Sequence, residues 1–320
     1  MSEKITLDKL DLKILYELDC DATQSFAKIG KKLKAGRDVI TYRVKRLEEQ
    51  GVIEKYIYVI DFSKVGHIVA ALYIKLHHVS PQLRKEILEY YKGREDIWWL
   101  FDMTPEYDLA FGWFGKDVVD VRKKEIEILS KYRSHFRNFK FRIYSQFYQF
   151  RRNYLLPTHQ APLPPVVVDA TPKKLTDETD ERILQSLAGN ARKTYVQIAK
   201  ELSLSPAQVH YKISALRKNG VLLFARPKLD LEKIGFEYFK LDIYLDDFSK
   251  YEKLKKFLFA IPNVIYAFDV IGGADIELDI HAKSFDEFME IQDSIKAAFS
   301  DAISHTEYYQ FKKEYKQVYF

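Results

Sequence analysis

Two short stretches of this 320-residue chain concentrate positive charge in a way that suits a polyanionic partner. The stretch from Phe26 to Arg46 holds eight basic residues and one acid, and the stretch from Arg192 to Lys218 holds six basic residues and one acid. The whole chain carries only +5, so the remainder is net acidic. Basic side chains that neutralise phosphates release condensed counterions and so drive binding to nucleic acid. The placement of charge therefore suits a polyanion such as nucleic acid.

The side chains suited to DNA contact lie on the polar face of a predicted helix in each stretch. At 100° per residue, Ile40, Val44 and Leu47 form the apolar stripe, and the opposite face carries hydrogen-bonding and cationic groups. Such groups can contact base edges and phosphates. The predicted DNA-binding residues are Lys31, Lys32, Arg37, Thr41, Tyr42, Lys45 and Arg46 in the first stretch and Gln208, His210, Tyr211, Lys212 and Ser214 in the second. The second set is less basic, so we expect weaker or differently specific contact there.

The two stretches occupy equivalent positions in an internal repeat. A shift of 169 positions aligns Asp11 with Asp180, and YQFRRNY (148–154) matches YQFKKEY (309–315) near the two ends. Self-similarity over this length indicates a tandem duplication. Between the copies, the segment 155–174 contains five prolines and no periodic pattern, which predicts a stiff, extended linker.

The first half of each copy predicts a winged helix-turn-helix. It has three amphipathic helical segments, with Ser205 and Pro206 as a helix start signal and Gly51 and Gly220 as stop signals. One short extended segment then follows in each copy, 52–60 and 221–229, which we interpret as a β wing. Three helices with a tight second turn and a wing are typical of this DNA-binding motif.

The second half of each copy predicts a ferredoxin-like sheet. In the first copy the pattern is strand, helix, two strands, helix and strand, over 68–78, 81–92, 96–102, 107–114, 117–135 and 138–151. This βαββαβ order predicts a four-stranded antiparallel sheet with both helices on one face, and an α+β fold class overall. Val69, Ala71 and Tyr73 make the other face of the first strand apolar too, so that face needs a partner. We therefore predict that the sheets of the two copies pack face to face as an internal pseudo-dimer.

On these residues the chain resembles two fused copies of a protein of the Lrp/AsnC (feast/famine) family. The resemblance rests on LDKLDLKIL (7–15), KIGKKL (28–33) and VITYRVKRLEEQGVIEKY (39–56) in the first copy, and on 175–222 and AFDVIGGADIELDI (267–280) in the second. It implies a transcriptional regulator whose ferredoxin-like (RAM-type) domain dimerises and often senses an amino acid. The predicted domains are winged helix-turn-helix units at 1–62 and 175–231, RAM-type domains at 66–154 and 235–320, and the linker at 155–174.

The resemblance places an amino-acid effector at the turn between the second and third strands of the RAM-type domain. In the second copy this turn carries Gly272, Gly273 and Asp275, where backbone N–H groups would meet a carboxylate and Asp275 would meet an ammonium. In the first copy the glycines are missing and an acid is added. The predicted effector-binding residues are Thr104, Glu106, Asp108, Gly272, Gly273 and Asp275. A Gly-Gly pair between strands is equally typical of an ordinary hairpin turn.

Two other functions share these features and stay open as alternatives. Siroheme decarboxylases have similar subunits, but the stretches 96–114 and 263–280 contain no histidine, so we predict that the chain is not an enzyme. An architectural protein that binds DNA by charge alone is the second alternative. The single cysteine and the absence of metal-ligand or phosphate-loop spacing predict no cofactor and no metal. We expect a cytoplasmic protein without a membrane partner, and further homodimerisation is left open.

Overall fold

The first copy folds into three helices, one strand and a βαββαβ unit. The computed structural model of the chain describes residues 4–156 and 163–318. The elements of the first copy are α1 (Lys9–Cys20), α2 (Phe26–Leu33), α3 (Arg37–Glu49), β1 (Ile53–Ile60), β2 (Ile68–Leu76), α4 (Pro81–Gly93), β3 (Ile97–Thr104), β4 (Leu109–Gly115), α5 (Val118–Ser130) and β5 (Phe136–Gln149). We call the three-helix unit α1–α3 the first head.

The second copy repeats this order after a short intervening strand. That strand, β6 (Val166–Asp169), belongs to the predicted linker 155–174, of which residues 157–162 lie outside the described part of the chain. The elements of the second copy are α6 (Glu178–Gly189), α7 (Tyr195–Leu202), α8 (Pro206–Lys218), β7 (Leu222–Leu229), β8 (Glu237–Leu245), α9 (Tyr251–Leu258), β9 (Val264–Ile271), β10 (Ile276–Ala282), α10 (Phe285–Ala298) and β11 (Ile303–Gln317). The helices α6–α8 form the second head. Among the described helices, none has the length and apolar character needed to cross a lipid bilayer.

Side-chain caps fix where the head helices begin. Asp8 accepts the backbone N–H of Asp11 at 2.9 Å, and the Asp11 carboxylate accepts the N–H of Asp8 at 3.2 Å, which forms a capping box at the start of α1. Asp177 and Asp180 form the same box at the start of α6. Ser205 caps α8, as the sequence predicts. The heads thus begin at the same positions in both copies because the same local signals recur.

The two heads share one β ribbon and one hydrophobic core. Strand β1 pairs antiparallel with β7 of the other copy, and this register places Ile57 opposite Arg226. Helix α1 packs on β7 and helix α6 packs on β1, so apolar side chains of both heads form a single cluster. The predicted wing is therefore one strand per copy, shared between the heads. A lone strand leaves its backbone N–H and C=O groups unpaired, and the other copy supplies the missing partner.

The two ferredoxin-like sheets join into a closed eight-stranded barrel. The strand order is β3-β4-β2-β5 in the first copy and β9-β10-β8-β11 in the second, with antiparallel neighbours throughout. Strand β3 also pairs with β11, β5 pairs with β9, and β8 pairs with β11. The face-to-face arrangement agrees with the prediction from the repeat, whereas the sequence does not predict the hydrogen-bonded edges. Closure removes the unpaired edges that two separate sheets would expose.

Residues on the barrel strands alternate between a helix-covered outer face and the barrel interior. Outer side chains pack with α4 and α5 in the first copy and with α9 and α10 in the second. The interior contains aromatic side chains from both copies, including Tyr73, Trp99, Phe101, Phe268 and Tyr309. The apolar inner face of β2 is thus covered by the second copy, which is why its sequence is apolar on both sides.

Candidate nucleic-acid interface

Helix α3 presents one exposed face away from the core of the first head. Its apolar stripe is buried, as predicted. Tyr42 is 67% exposed, and the Lys45 side chain is 73% exposed. Arg37 and Thr41 are also exposed. The Lys45 ammonium lies 3.6 Å from Glu49, a solvent-exposed pair that contributes little and can yield to a phosphate.

Two cations of α3 bind carboxylates inside the first head instead. Arg46 lies 2.6 Å from the buried carboxylate of Asp11, and Arg43 lies 2.9 Å from Asp11 and 2.6 Å from Asp8. These ion pairs tie α3 to the start of α1. Arg46 was predicted to contact DNA, but its side chain is only one-third exposed and already has a buried partner. Its first role is therefore to position α3.

Helix α8 uses two of its predicted DNA-binding residues in the same structural way. Lys212 takes the place of Arg43 and pairs with Asp177 and, at 3.3 Å, with Asp180. The Gln208 side-chain oxygen accepts the backbone N–H of Ser205 at 2.8 Å as part of a capping box. The stabilising roles of Lys212 and Gln208 explain part of the polar character of this helix.

The rest of the polar face of α8 is exposed. Tyr211 is 72% exposed and stands at the position of Tyr42 in the first head. Ser214 and His210 are exposed as well, and the His210 ring lies 5.2 Å from that of Tyr195. Both heads therefore project a tyrosine from the same place on the third helix, with more cations beside it in the first head.

Two further predicted contacts lie in the last turn of α2. Lys31 and Lys32 are both exposed. The Lys32 ammonium pairs with Glu17 of α1. Both lysines thus add positive charge to the last turn of α2, the helix that precedes α3.

A buried ion cluster ties the first head to the ribbon and the barrel. Asp19 of α1 accepts hydrogen bonds from Arg226 Nε and Nη2 of β7 at 2.8 and 2.9 Å, and from the backbone N–H of Arg152 at 2.8 Å. The Asp19 and Arg226 side chains are fully buried. Burial alone would raise the pKa of Asp19, but Arg226 and Arg152 outweigh it and lower the pKa. The sequence does not predict this cluster, because its members lie far apart along the chain.

Asp108 and Asp275, predicted to bind an effector, hold the ends of barrel strands. The Asp275 carboxylate accepts the backbone N–H of Leu245 at 2.7 Å, and the Asp108 carboxylate accepts the N–H of Leu76 at 2.8 Å. The bond is the same in both copies and joins the end of the first strand to the turn before the third. This structural role accounts for an aspartate at both positions.

The glycines of the second turn allow close packing against the first copy. Gly272 has φ +82°, and a Cβ there would lie 3.0 Å from the Phe141 carbonyl oxygen. A Cβ on Gly273 would lie 2.6 Å from Glu277 Oε1. Close packing thus explains the glycines by itself, and a role for their backbone N–H groups in binding an effector stays a prediction.

The remaining two predicted effector residues belong to the first copy. Thr104 pairs with Gln310 in the barrel wall, and Glu106 lines a cleft with Lys140 and Glu307. Among the described residues, no group of His, Cys, Asp or Glu is arranged to hold a metal ion.

Comparisons with known proteins identify the family to which these heads belong. The family model described as winged helix-turn-helix DNA-binding matches residues 7–54 and 176–222, once in each copy. The HTH-type transcriptional regulator Ptr1 of Methanocaldococcus jannaschii is 36% identical over 120 residues, which are 37% of this chain and 78% of that protein. The regulatory protein AsnC of Haemophilus influenzae is 27% identical over 132 residues, 41% of this chain and 87% of that protein. The chain belongs to the Lrp/AsnC family.

Each of these Lrp/AsnC relatives corresponds to less than half of this chain, so the chain holds two family units in tandem. A solved structure matches both units at once. The siroheme decarboxylase NirDL covers 97% of this chain and 93% of its own, with a TM-score of 0.64 and 15% sequence identity. At this identity the likeness shows that the two chains share a fold.

The barrel of this Lrp/AsnC chain also holds a cavity that the sequence does not predict. It has a volume of about 330 Å³ and lies between one end of the barrel and the ribbon. Aromatic side chains form most of its wall, among them Trp98, Phe114, Phe147 and Phe268. Both copies therefore contribute to the cavity.

A network of buried charges lies beside this cavity in the barrel interior. Arg142 of β5 pairs with Asp242 and, at 2.8 Å, with Glu277, while Lys240 lies 2.8 Å from Glu277 and 3.3 Å from Asp279. All five side chains are almost fully buried. Burial raises the pKa of Asp242 to about 7, because it outweighs the opposing effect of Arg142. The network links a cation of the first copy to carboxylates of the second.

Proposed function

We propose that this chain is a DNA-binding transcriptional regulator of the Lrp/AsnC type that places α3 and α8 against duplex DNA. The observation that carries the proposal is the pair of helices exposed on heads that share one core. Each projects a tyrosine from the same place, Tyr42 or Tyr211, and the first adds Arg37 and Lys45. Third helices of helix-turn-helix units enter the major groove, with cations on phosphates and polar groups on base edges.

Mobility-shift titrations over a range of salt concentrations test this proposal. Lys45→Ala should weaken binding and reduce the slope of log affinity against log salt by about 0.9, since each phosphate contact releases counterions. Lys123→Ala is the matched control, because Lys123 is exposed on α5 in the barrel part of the chain. Equal affinity and equal slope for both variants and the wild type would contradict the assignment of α3. Equal binding of all sequences would favour an architectural protein instead.

We further propose that one chain, acting in the cytoplasm, is the unit that reads DNA. Its heads differ at four equivalent positions on the third helix, where Arg37, Thr41, Lys45 and Arg46 correspond to Pro206, His210, Ser214 and Ala215. Because each good base contact discriminates by about 1–3 kcal/mol, these differences are ample to give the heads different preferences. The chain should therefore read an asymmetric operator. Two chains that present their first heads symmetrically would instead read a palindrome.

We also propose that the DNA affinity of this regulator responds to an amino acid. The support for this response is membership of the Lrp/AsnC family, because the RAM-type domain of that family often senses an amino acid. The Gly272–Asp275 turn offers few free groups to such an effector. Asp275 already accepts the Leu245 N–H, and the glycines pack closely on β5. Thermal-shift measurements with the twenty amino acids test the response itself. No stabilisation by any of them would argue for a regulator that does not sense amino acids.

Decarboxylation of siroheme is a second candidate function, favoured by one observation. The fold likeness to siroheme decarboxylase NirDL extends over both heads and the whole barrel. Incubation of the chain with siroheme, followed by mass spectrometry, tests it. A product lighter by carbon dioxide would establish the enzyme, and unchanged siroheme would remove this candidate.

A further inference from the structure

We propose that the cavity between the barrel and the ribbon binds a small, uncharged heteroaromatic molecule and that its occupancy changes the affinity of the heads for DNA. The binding part of the proposal stands on the cavity alone. The control part rests on the regulatory function proposed above. No residue of the cavity wall belongs to the set predicted from the sequence to bind an effector.

The wall of the cavity favours a flat ring system. The rings of Trp98 and Phe114 stack at 5.0 Å, and those of Phe147 and Phe268 meet edge to face at 4.7 Å. Such faces and edges bind a further aromatic ring by stacking or T-shaped contact. A volume of about 330 Å³ lies at the lower end of the range for small-molecule sites, about 300–1,000 Å³. The occupant should therefore have one or two fused rings.

Two nitrogen atoms in the wall lack hydrogen-bond partners among the residues that the structure describes. Trp98 Nε1 and His67 Nδ1 are both inaccessible to solvent and unpaired. An indole N–H can only donate, and a buried one normally finds an acceptor. Burial lowers the pKa of His67, so its ring is neutral and can serve as donor or acceptor. A ligand with a ring nitrogen or carbonyl oxygen would satisfy Trp98 once the indole turns its N–H toward the cavity.

The charges near the cavity argue for an uncharged ligand. Lys240 is shared between Glu277 and Asp279, and its ammonium also lies 4.5 Å from the centre of the Phe268 ring. Tyr238 donates a hydrogen bond to Asp279. These groups therefore satisfy one another, and a charged ligand would enter a buried site without a free counter-ion.

The same cavity touches the heads. Ile57 and Val59 of the ribbon strand β1 line it, together with Glu181 and Gln185 of α6 in the second head. An occupant would thus contact the barrel, the ribbon and a head helix at once. A ligand that prefers one position of these elements shifts the heads toward it and so alters DNA affinity.

Quinoline and naphthalene are the matched probes, since they share a shape and only quinoline carries an acceptor nitrogen. The chain has three tryptophans, so its indole N–H signals in nitrogen-edited NMR spectra can be assigned with single Trp→Phe variants. Quinoline should move the Trp98 signal and bind about two- to tenfold more tightly than naphthalene, as expected for one hydrogen bond. Trp98→Phe should abolish that difference. Trp113→Phe, which changes a buried tryptophan in the outer core of the first copy, should leave it intact.

Val59→Phe should fill the cavity and prevent binding of both probes. Quinoline should also change the DNA affinity of the wild type in mobility shifts, and Trp98→Phe should reduce this effect without changing DNA affinity in the absence of the probe. No movement of the Trp98 signal, or equal binding of both probes, would overturn the ligand site. Binding without an effect on DNA affinity would overturn the control. Absence of DNA binding without any probe would instead refute the regulatory function, and displacement of quinoline by siroheme would assign the cavity to a tetrapyrrole.

Discussion

Replacement of Asp19 by alanine should destabilise the folded chain by about 3–5 kcal/mol, which is the usual cost of removing one partner from a buried ion pair. Arg226 is fully buried and directs both Nε and Nη2 at Asp19, so Asp19→Ala leaves it charged without its main partner. The backbone N–H of Arg152 loses its acceptor as well. Because domains are stable by only about 5–15 kcal/mol, a loss of this size is easily measured.

The repeat itself supplies the compensating variant. The shift of 169 positions places Ala188 at the position of Asp19 and Ile57 at that of Arg226, so the equivalent pair is apolar. The double variant Asp19→Ala/Arg226→Ile copies that pair. Apolar replacement of a buried ion pair is often neutral or stabilising, so the double variant should recover part of the loss. The rest should remain, because the buried Arg152 guanidinium also pairs with Asp19 and still lacks that partner. The coupling energy from the double-mutant cycle should reach about 2–3 kcal/mol.

Urea unfolding followed by far-ultraviolet circular dichroism measures these free energies, with the exposed Asp246→Ala as the control. The pKa of Asp19 is lowered in the folded chain, so its contribution is present above the pKa of the unfolded chain and is lost as pH falls through the folded pKa. The difference between wild type and Asp19→Ala should therefore shrink in acid. A single variant that loses less than about 1 kcal/mol, or a double variant no more stable than the single, would refute the reasoning.

Three other predictions follow from the heads and the barrel. The double variant Lys45→Ala/Arg46→Ala should lose DNA affinity and lower the salt slope by about 0.9 per phosphate contact, and unchanged affinity in salt-dependent mobility shifts at moderate salt would contradict this. Arg46→Ala alone should also lower the stability measured by urea unfolding, because Asp11 loses a partner. Selection of binding sites from random DNA should return a non-palindromic motif with one well-defined half, and a strict palindrome would imply that two chains present their first heads. The pKa of Asp242 is raised to about 7, so the folded chain keeps a proton that the unfolded chain releases near its ordinary value of 3.8. The free energy of unfolding should therefore fall as pH rises between these values, and Asp242→Asn should make it depend less on pH. Identical pH profiles of the two proteins in urea unfolding would exclude a raised pKa at Asp242.

The sequence predicts those features of the fold that depend on local signals. Ser205 and Pro206 start α8, and Gly51 and Gly220 end the third helices with φ +67° and +68°, because capping and left-handed turns need particular residue types at particular positions. The element order of both copies follows in the same way from periodicity. Pairing between copies does not, since nothing local to β1 specifies β7 as its partner.

The buried charges show how a local pattern can mislead. In β8, Lys240 and Asp242 alternate with Phe239 and Leu241, which by itself is typical of a strand with one face in water. Closure of the barrel buries that face, and a cation from the other copy makes the burial tolerable. The close approach of β5 to Gly272 is equally invisible in the sequence, because Phe141 lies in the other copy.

Fusion of the two copies makes this barrel interior attainable. The inward position of Ala71 in the first copy corresponds to Lys240 in the second, and Gly112 corresponds to Asp279. In a symmetric homodimer every inward charge would occur twice around the two-fold axis, and each new partner would have to appear twice as well. A single chain can instead place its charges on one wall and keep aromatic and small residues on the other, with Arg142 bridging the two. The same freedom applies to the third helices, where Lys45 and Ser214 differ at one equivalent position. A chain whose interior is already asymmetric has no structural reason to keep a symmetric DNA-reading surface, so the asymmetric operator is the expected counterpart of the asymmetric barrel.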